Sequence, residues 1–184
     1  MTKKIVLIGR SNVGKSTLFS QITGRRVAIG RRPGVTLSPT NVQVGNAIYV
    51  DMPGYGYMKR MPRKVQEKTK DFIVRYFEEN HEDIILAIEV IDASSFLEIF
   101  ERWKQRNEIP LEQELFEFLS DLGLNVVLAA NKMDKVSDPD RTLDMIVERL
   151  GMLPPWRQWL DRVAPISAKR GEIEPLQRII RSRL

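Results

Sequence analysis

The residues best suited to chemistry are Gly9-Arg10-Ser11-Asn12-Val13-Gly14-Lys15-Ser16-Thr17, which fit G-x-x-x-x-G-K-[ST], a pattern that holds phosphate. Gly9 and Gly14 let the backbone turn tightly and bring its N–H groups to phosphate oxygens. A helix starting at Ser16 would add its partial positive end. Lys15 is expected to reach the β- and γ-phosphates, and the Ser16 hydroxyl to meet Mg²⁺. Further along, Asp51-Met52-Pro53-Gly54 offers a carboxylate for Mg²⁺, usually through water, and a Gly54 N–H for the γ-phosphate. The same four residues also make an ordinary turn. Asn131-Lys132-Met133-Asp134 is more informative. A carboxylate at Asp134 can accept from guanine N1–H and the 2-amino group, neither of which adenine has, and a site left unpaired discriminates strongly. Asn131 can tie the loop together and the Lys132 stem can cover the ring, although a capped turn has the same composition. In Ser167-Ala168-Lys169 the Ala168 N–H could meet guanine O6 and Lys169 the other face of the base.

Each of these segments follows a strand-like run. Lys4–Ile8 is apolar and β-branched, and Asn41–Val44 and Ala47–Val50 flank a Gly45-Asn46 turn as a hairpin. Asp83–Ile91, interrupted only by Glu89, Asn125–Ala130 and Val163–Ile166 complete the set. Helical spacing covers Lys64–Asn80, with Val65, Phe72, Ile73, Tyr76 and Phe77 on one face. Pro110 is expected to start the next helix, with Leu111, Leu115, Phe118, Leu119 and Leu122 inward and Gly123 as its stop. Asp138–Leu150 and Glu174–Leu184 are the last two helices. Phe96, Phe100 and Trp103 at i, i+4, i+7 predict a short amphipathic helix packed on the body of the domain. The fold class is therefore α/β, a mostly parallel six-stranded sheet with one antiparallel edge strand and helices on both faces. In such sheets ligands bind beyond the carboxyl ends of the strands, which puts all four motifs on one rim.

With 184 residues, one domain spanning 1–184 is expected. Having no cysteine, the chain holds neither disulfides nor thiolate zinc sites. No apolar run is long enough for a membrane span and no signal-peptide pattern opens the chain, so a cytoplasmic protein with no membrane partner is expected. The formal charge of +5, from 29 basic and 24 acidic residues, permits a polyanionic partner without requiring one.

In order and context the motifs resemble those of TRAFAC-class GTPases, which are P-loop NTPases with a Ras-like G domain. Within that class the chain is most similar to the EngB-type (YihA/YsxC) family. The residues carrying the likeness are Gly9–Ser16, Pro33-Gly34-Val35-Thr36, Asp51-Met52-Pro53-Gly54-Tyr55-Gly56-Tyr57, Asn131-Lys132-Met133-Asp134 and Ser167-Ala168-Lys169. The Gly-Tyr-Gly-Tyr extension narrows the family. The resemblance implies GTP/GDP and Mg²⁺ as ligands. It makes Thr36 the switch I threonine that closes on Mg²⁺ and γ-phosphate with Gly34 and Val35, and Tyr55–Lys64 switch II. Metal contacts would be Ser16, Thr36 and Asp51, and the residues acting on the reacting phosphates Lys15, Thr36, Gly54 and Asn12. It also implies work in large ribosomal subunit assembly, and with it in cell cycle and septation. Two departures stand out: Asn131 where many members carry Thr, and a stretch, Ser94–Ile109, longer than the family pattern.

Phosphoryl transfer needs positioning and charge neutralisation. Ras-like proteins place a water-orienting glutamine after the Gly of the third motif; Tyr55 stands there, a poor substitute, so slow intrinsic hydrolysis is expected. In related GTPases an asparagine at the place of Asn12 helps hold a potassium ion, making K⁺ a candidate cofactor. Arg25, Arg26, Arg31 and Arg32 in switch I, with Lys59, Arg60, Arg63, Lys64, Lys68 and Lys70 in or after switch II, form a basic surface suited to ribosomal RNA in the GTP state. The alternatives are a regulatory switch with a protein partner and no RNA contact, and a kinase-like metabolic enzyme, which the guanine motifs disfavour. A monomer is expected.

Overall fold

Ile5, Val6, Leu7 and Ile8 are all fully buried because β1 (Lys3–Gly9) lies inside a sheet covered on both faces. The computed structural model describes residues 3–25, 38–56 and 62–184. After β1 come α1 (Lys15–Thr23), β2 (Thr40–Val44), β3 (Ala47–Asp51), α2 (Arg63–Asn80), β4 (Ile84–Asp92), α3 (Phe96–Lys104), α4 (Leu111–Asp121), β5 (Val126–Asn131), α5 (Pro139–Arg149), β6 (Val163–Pro165) and α6 (Glu174–Arg183). The strand order is β2-β3-β1-β4-β5-β6. Only β2 runs antiparallel, joined to β3 by the Gly45-Asn46 turn.

Successive strand residues face opposite sides, so one β1 supplies two cores. Val6 and Ile8 face a core built with Ile73 and Phe77 of α2, Phe96 and Phe100 of α3, Leu119 of α4 and Ile146 of α5. Ile5 and Leu7 face Leu18 and Phe19 of α1 and Leu176, Ile179 and Ile180 of α6. Register brings the strand ends level: Leu7 pairs with Asp51, Gly9 with Val90, and Asp92 with Asn131.

Two expectations about helices need correction. Pro110 caps α4 rather than starting it, with extended backbone (ψ 137°). The buried stripe of α4 is Glu112, Leu115, Phe116 and Leu119, at i, i+3, i+4, i+7; Leu111, Phe118 and Leu122 are only partly buried. The stripe is rotated from the one expected, and it includes a carboxylate, Glu112, where an apolar residue is the usual choice. The short helix α3 does pack on the body: Phe96 and Phe100 are buried with ring centroids 5.5 Å apart, and Glu101 accepts from Arg149 of α5 at 2.8 Å.

The second inward carboxylate is Glu89, in the middle of β4 and 0% exposed. Its strand neighbours are Ile8 on β1 and Leu128 on β5. Neither of its oxygens has a hydrogen-bond partner. Burial, and then the charge of Glu112, push its carboxyl well above the ordinary carboxylate range. An ionised carboxylate without a partner is not sustained at this depth, so the fold favours the protonated form of Glu89. The unfolded chain releases that proton near about pH 4.3, whereas the fold retains it. Its contribution to stability is thus fully present below that pH and declines as pH rises toward neutrality. Denaturant titrations from pH 4 to pH 8 should show the wild type losing stability relative to Glu89→Gln as pH rises; a constant difference would contradict a buried neutral acid.

Candidate functional site

The phosphate-loop residues lie where β1 ends and α1 begins. Gly14 adopts φ 92°, and a Cβ there would lie 2.3 Å from Asn131 Nδ2. Only glycine satisfies both constraints. No side chain caps α1, so its first N–H groups are available for an anion. Ser16 and Thr17 are in that first turn, half-buried. Lys15, 8% exposed, donates from Nζ to the Asp51 carboxylate and, at 2.6 Å, to Met52 O. The Asp51 carboxylate, 9% exposed, thus neutralises the loop's cation.

Gly54 packs directly on the loop, where a Cβ would fall 2.9 Å from Ser11 Oγ. The following residue is bonded to the loop on both sides: Tyr55 N–H donates to Gly9 O at 3.3 Å, and Ser11 N–H donates to Tyr55 O at 3.1 Å. The β3–β1 pairing thereby continues past Gly9. Met52 is fully buried, and Pro53 lies between it and Gly54.

Asn131, 3% exposed, joins separate parts of the chain. Its Nδ2 donates to Val13 O at 2.8 Å and its Oδ1 accepts from Ala168 N–H at 2.9 Å. The Ala168 N–H, expected toward a base, is thus engaged by Asn131. Ser167 is buried and accepts from Asp134 N–H at 3.1 Å, while Met133 N–H donates to Ile166 O at 3.1 Å. Lys132 takes left-handed backbone (φ 64°), and its Nζ donates to Asn12 O at 2.8 Å and to Asp92 at 2.6 Å. Burial alone would raise the Asp92 carboxyl, but the bonds from Lys132 and Ser94 outweigh it and hold the group below its ordinary range. The Asp134 carboxylate is 14% exposed, with Arg170 Nε 3.8 Å away; Lys169 is exposed.

Arg10, partly buried, pairs with Glu112 at 3.1 Å. Asn12 is exposed, with φ 70°. Gly34, Val35 and Thr36, like Arg26, Arg31, Arg32, Tyr57, Lys59 and Arg60, lie outside the described residues. Of the other expected basic residues, Arg63 pairs with Glu67 and Lys70 with Glu114, while Lys64 and Lys68 are exposed on α2. Sequence reasoning missed Asp92 as the partner of Lys132, although it is the carboxylate that ends β4 on the same rim. It also missed the group of Arg10, Tyr55, Glu89 and Glu112 below the loop, where the one signal was two carboxylates at core-facing positions.

A family model described as "50S ribosome-binding GTPase" matches residues 4–132. A protein of Archaeoglobus fulgidus named "probable GTP-binding protein EngB" is 50% identical over 182 residues, 99% of this chain and 92% of that protein. That span takes in Ser94–Ile109, so the extra stretch is no barrier to the likeness. A Methanopyrus kandleri protein of the same name is 49% identical, over 97% of this chain and 92% of its own length. A crystal structure of a probable GTP-binding protein engB superposes with a TM-score of 0.89 at 39% identity, covering 97% of each chain. Era, solved with MgGDPNP and a segment of 16S ribosomal RNA, has a TM-score of 0.68 at 24% identity over 57% of its chain, a likeness of fold. Agreement of this depth from end to end, together with the family match over residues 4–132, means that the chain belongs to the EngB-type GTP-binding proteins and that its reaction is the hydrolysis of GTP.

Proposed function

We propose that residues 1–184 form one G domain acting as a GTP-dependent switch in assembly of the large ribosomal subunit, docking on ribosomal RNA when loaded with GTP. The carrying observation is the Asn131 amide, which ties the phosphate loop to the segments bearing Asp134 and Ala168. That tie supports a single site holding the phosphates at one end and the guanine at the other. The description of the matching family as ribosome-binding supports the partner. So do the exposed cations Arg25, Lys64 and Lys68 near the switches, because cations that neutralise phosphates dominate binding to RNA.

In this reading Lys15 exchanges the Asp51 carboxylate for a phosphate oxygen, and the N–H groups at the start of α1 bind the remaining phosphate charge. The donors at Asp51 and Ser16, a carboxylate and a hydroxyl, are hard oxygens that fit Mg²⁺. Ser16, Asp51 through water and Thr36 would hold it, and when bound it neutralises β- and γ-phosphate charge. The Gly54 N–H meets the γ-phosphate. Asp134 accepts from the guanine edge and Lys132 lies along the base. The Tyr55 phenol is buried, so the side chain after Gly54 orients no water, and intrinsic hydrolysis is slow. Asn12 is the residue to hold a K⁺ ion that supplies the missing positive charge.

Asp134→Asn should lower GTP affinity at least about 100-fold and favour xanthosine triphosphate, whose 2-carbonyl matches an amide donor. Equilibrium titration with both nucleotides checks this, and unchanged guanine preference would remove Asp134 from the site. Hydrolysis should run faster in KCl than in NaCl at matched ionic strength; equal turnover rules out the ion. Protein loaded with a non-hydrolysable GTP analogue should co-sediment with large ribosomal subunits at low salt and be released as salt rises. Failure to sediment would favour a switch with a protein partner.

A further inference from the structure

Below the phosphate loop lies a buried group that the nucleotide site does not use. Tyr55, Glu89 and Glu112 meet there, from the segment after β3, from β4 and from α4. Arg10 closes the group from the loop, pairing with Glu112 at 3.1 Å. Glu112 is 6% exposed and Glu89 is 0%. The Tyr55 hydroxyl and both Glu89 oxygens are buried without a hydrogen-bond partner. Phenol and carboxyl are near enough to influence one another, although by geometry neither forms a hydrogen bond. An ionised, unpaired carboxylate at this depth is not sustainable, so Glu89 carries its proton. A neutral acid beside a neutral phenol makes a matched donor–acceptor pair that a small rotation closes.

The main chain of Tyr55 gives this pair its consequence. It is hydrogen-bonded to Gly9 O and Ser11 N–H, and Gly54 immediately before it presses on Ser11. The Gly54–Tyr55 peptide is therefore held from two directions, by the loop through its backbone and by the core through the phenol. We propose that Tyr55 is a positioning residue for GTP hydrolysis: its phenol, seated on Glu89, sets where the Gly54 N–H meets the γ-phosphate. This rests on the reading, given above, that Gly54 makes that contact. Among the described residues the charged or titratable groups facing Glu89 are Tyr55, Glu112 and, through Glu112, Arg10; its strand neighbours are apolar. Loss of its proton would put a second negative charge beside Glu112 and disturb the seat of the phenol.

The test uses the full chain, with single-turnover GTP hydrolysis measured beside separate affinities for GDP and a non-hydrolysable GTP analogue. Tyr55→Phe keeps the ring and removes the hydroxyl that the rotation would bring onto Glu89, so it should lower the hydrolysis rate about fivefold, the weight of the one net hydrogen bond that closing forms, with GDP affinity held within about twofold. Glu89→Leu should lose rate as Tyr55→Phe does. The wild-type rate should fall at alkaline pH, and Glu89→Gln should flatten that limb. The proposal is overturned if Tyr55→Phe hydrolyses at the wild-type rate, or if it weakens GDP and the GTP analogue alike, which marks a packing role only. Gly54→Ala separates the two layers. If it loses hydrolysis while Tyr55→Phe does not, only the positioning role falls. If it too hydrolyses normally, the γ-phosphate contact falls and the proposal with it.

Discussion

The side chain of Asn131 is the joint on which the rim depends. It spans 118 residues of chain to reach Val13 O and 37 to reach Ala168 N–H, with both bonds buried. A buried amide is costly unless satisfied, so its geometry is specified narrowly and the two backbone segments it bonds are placed with it. Gly14 completes the arrangement: a Cβ there would occupy the space of the amide nitrogen. The loop that grips phosphate and the turn that carries Asp134 are thus one packed unit.

Around that joint three cations are matched to carboxylates. Lys15 has Asp51 at the end of β3, Lys132 has Asp92 at the end of β4, and Arg10 has Glu112 on α4. The first pair is buried, and removing one member of such a pair leaves an uncompensated charge. A phosphate can displace Asp51 from Lys15 only if the carboxylate gains a partner of its own. In the proposed site a cation would be that partner, which would couple its binding to that of the nucleotide. The Arg10–Glu112 pair ties the loop to α4.

Glu89 is the exception to this matching. It occupies a position in β4 where an apolar residue packs without cost, and it holds a proton that the unfolded chain would release. Among the described residues the hydroxyl that interacts with it is that of Tyr55, whose burial and acidic neighbours keep the phenol protonated. The residue after Gly54 is therefore a tether between the sheet and the loop, a different use of that position from the orientation of water.

Much of this was legible in the residues alone. The strands were marked by apolar or alternating runs, α2 and α3 by their spacing, α1 by its place after the phosphate motif, and the hairpin by Gly45-Asn46, because burial and backbone sterics act locally along the chain. The phosphate loop and the Asn131–Asp134 segment were likewise readable, since their chemistry is held in contiguous residues. What only the tertiary structure decided involves residues far apart in sequence. Periodicity placed the inward stripe of α4 on leucines and phenylalanines, and packing put Glu112 there, opposite Arg10 from a loop 102 residues away. Glu89 read as an interruption in an apolar run; the fold made it a neutral acid under the loop. The side chain of Arg10 belongs to a motif that grips phosphate, yet its partner is a carboxylate on α4. Pattern reports which faces prefer to be buried, whereas the partner of a buried charge is set by which elements the sheet brings together.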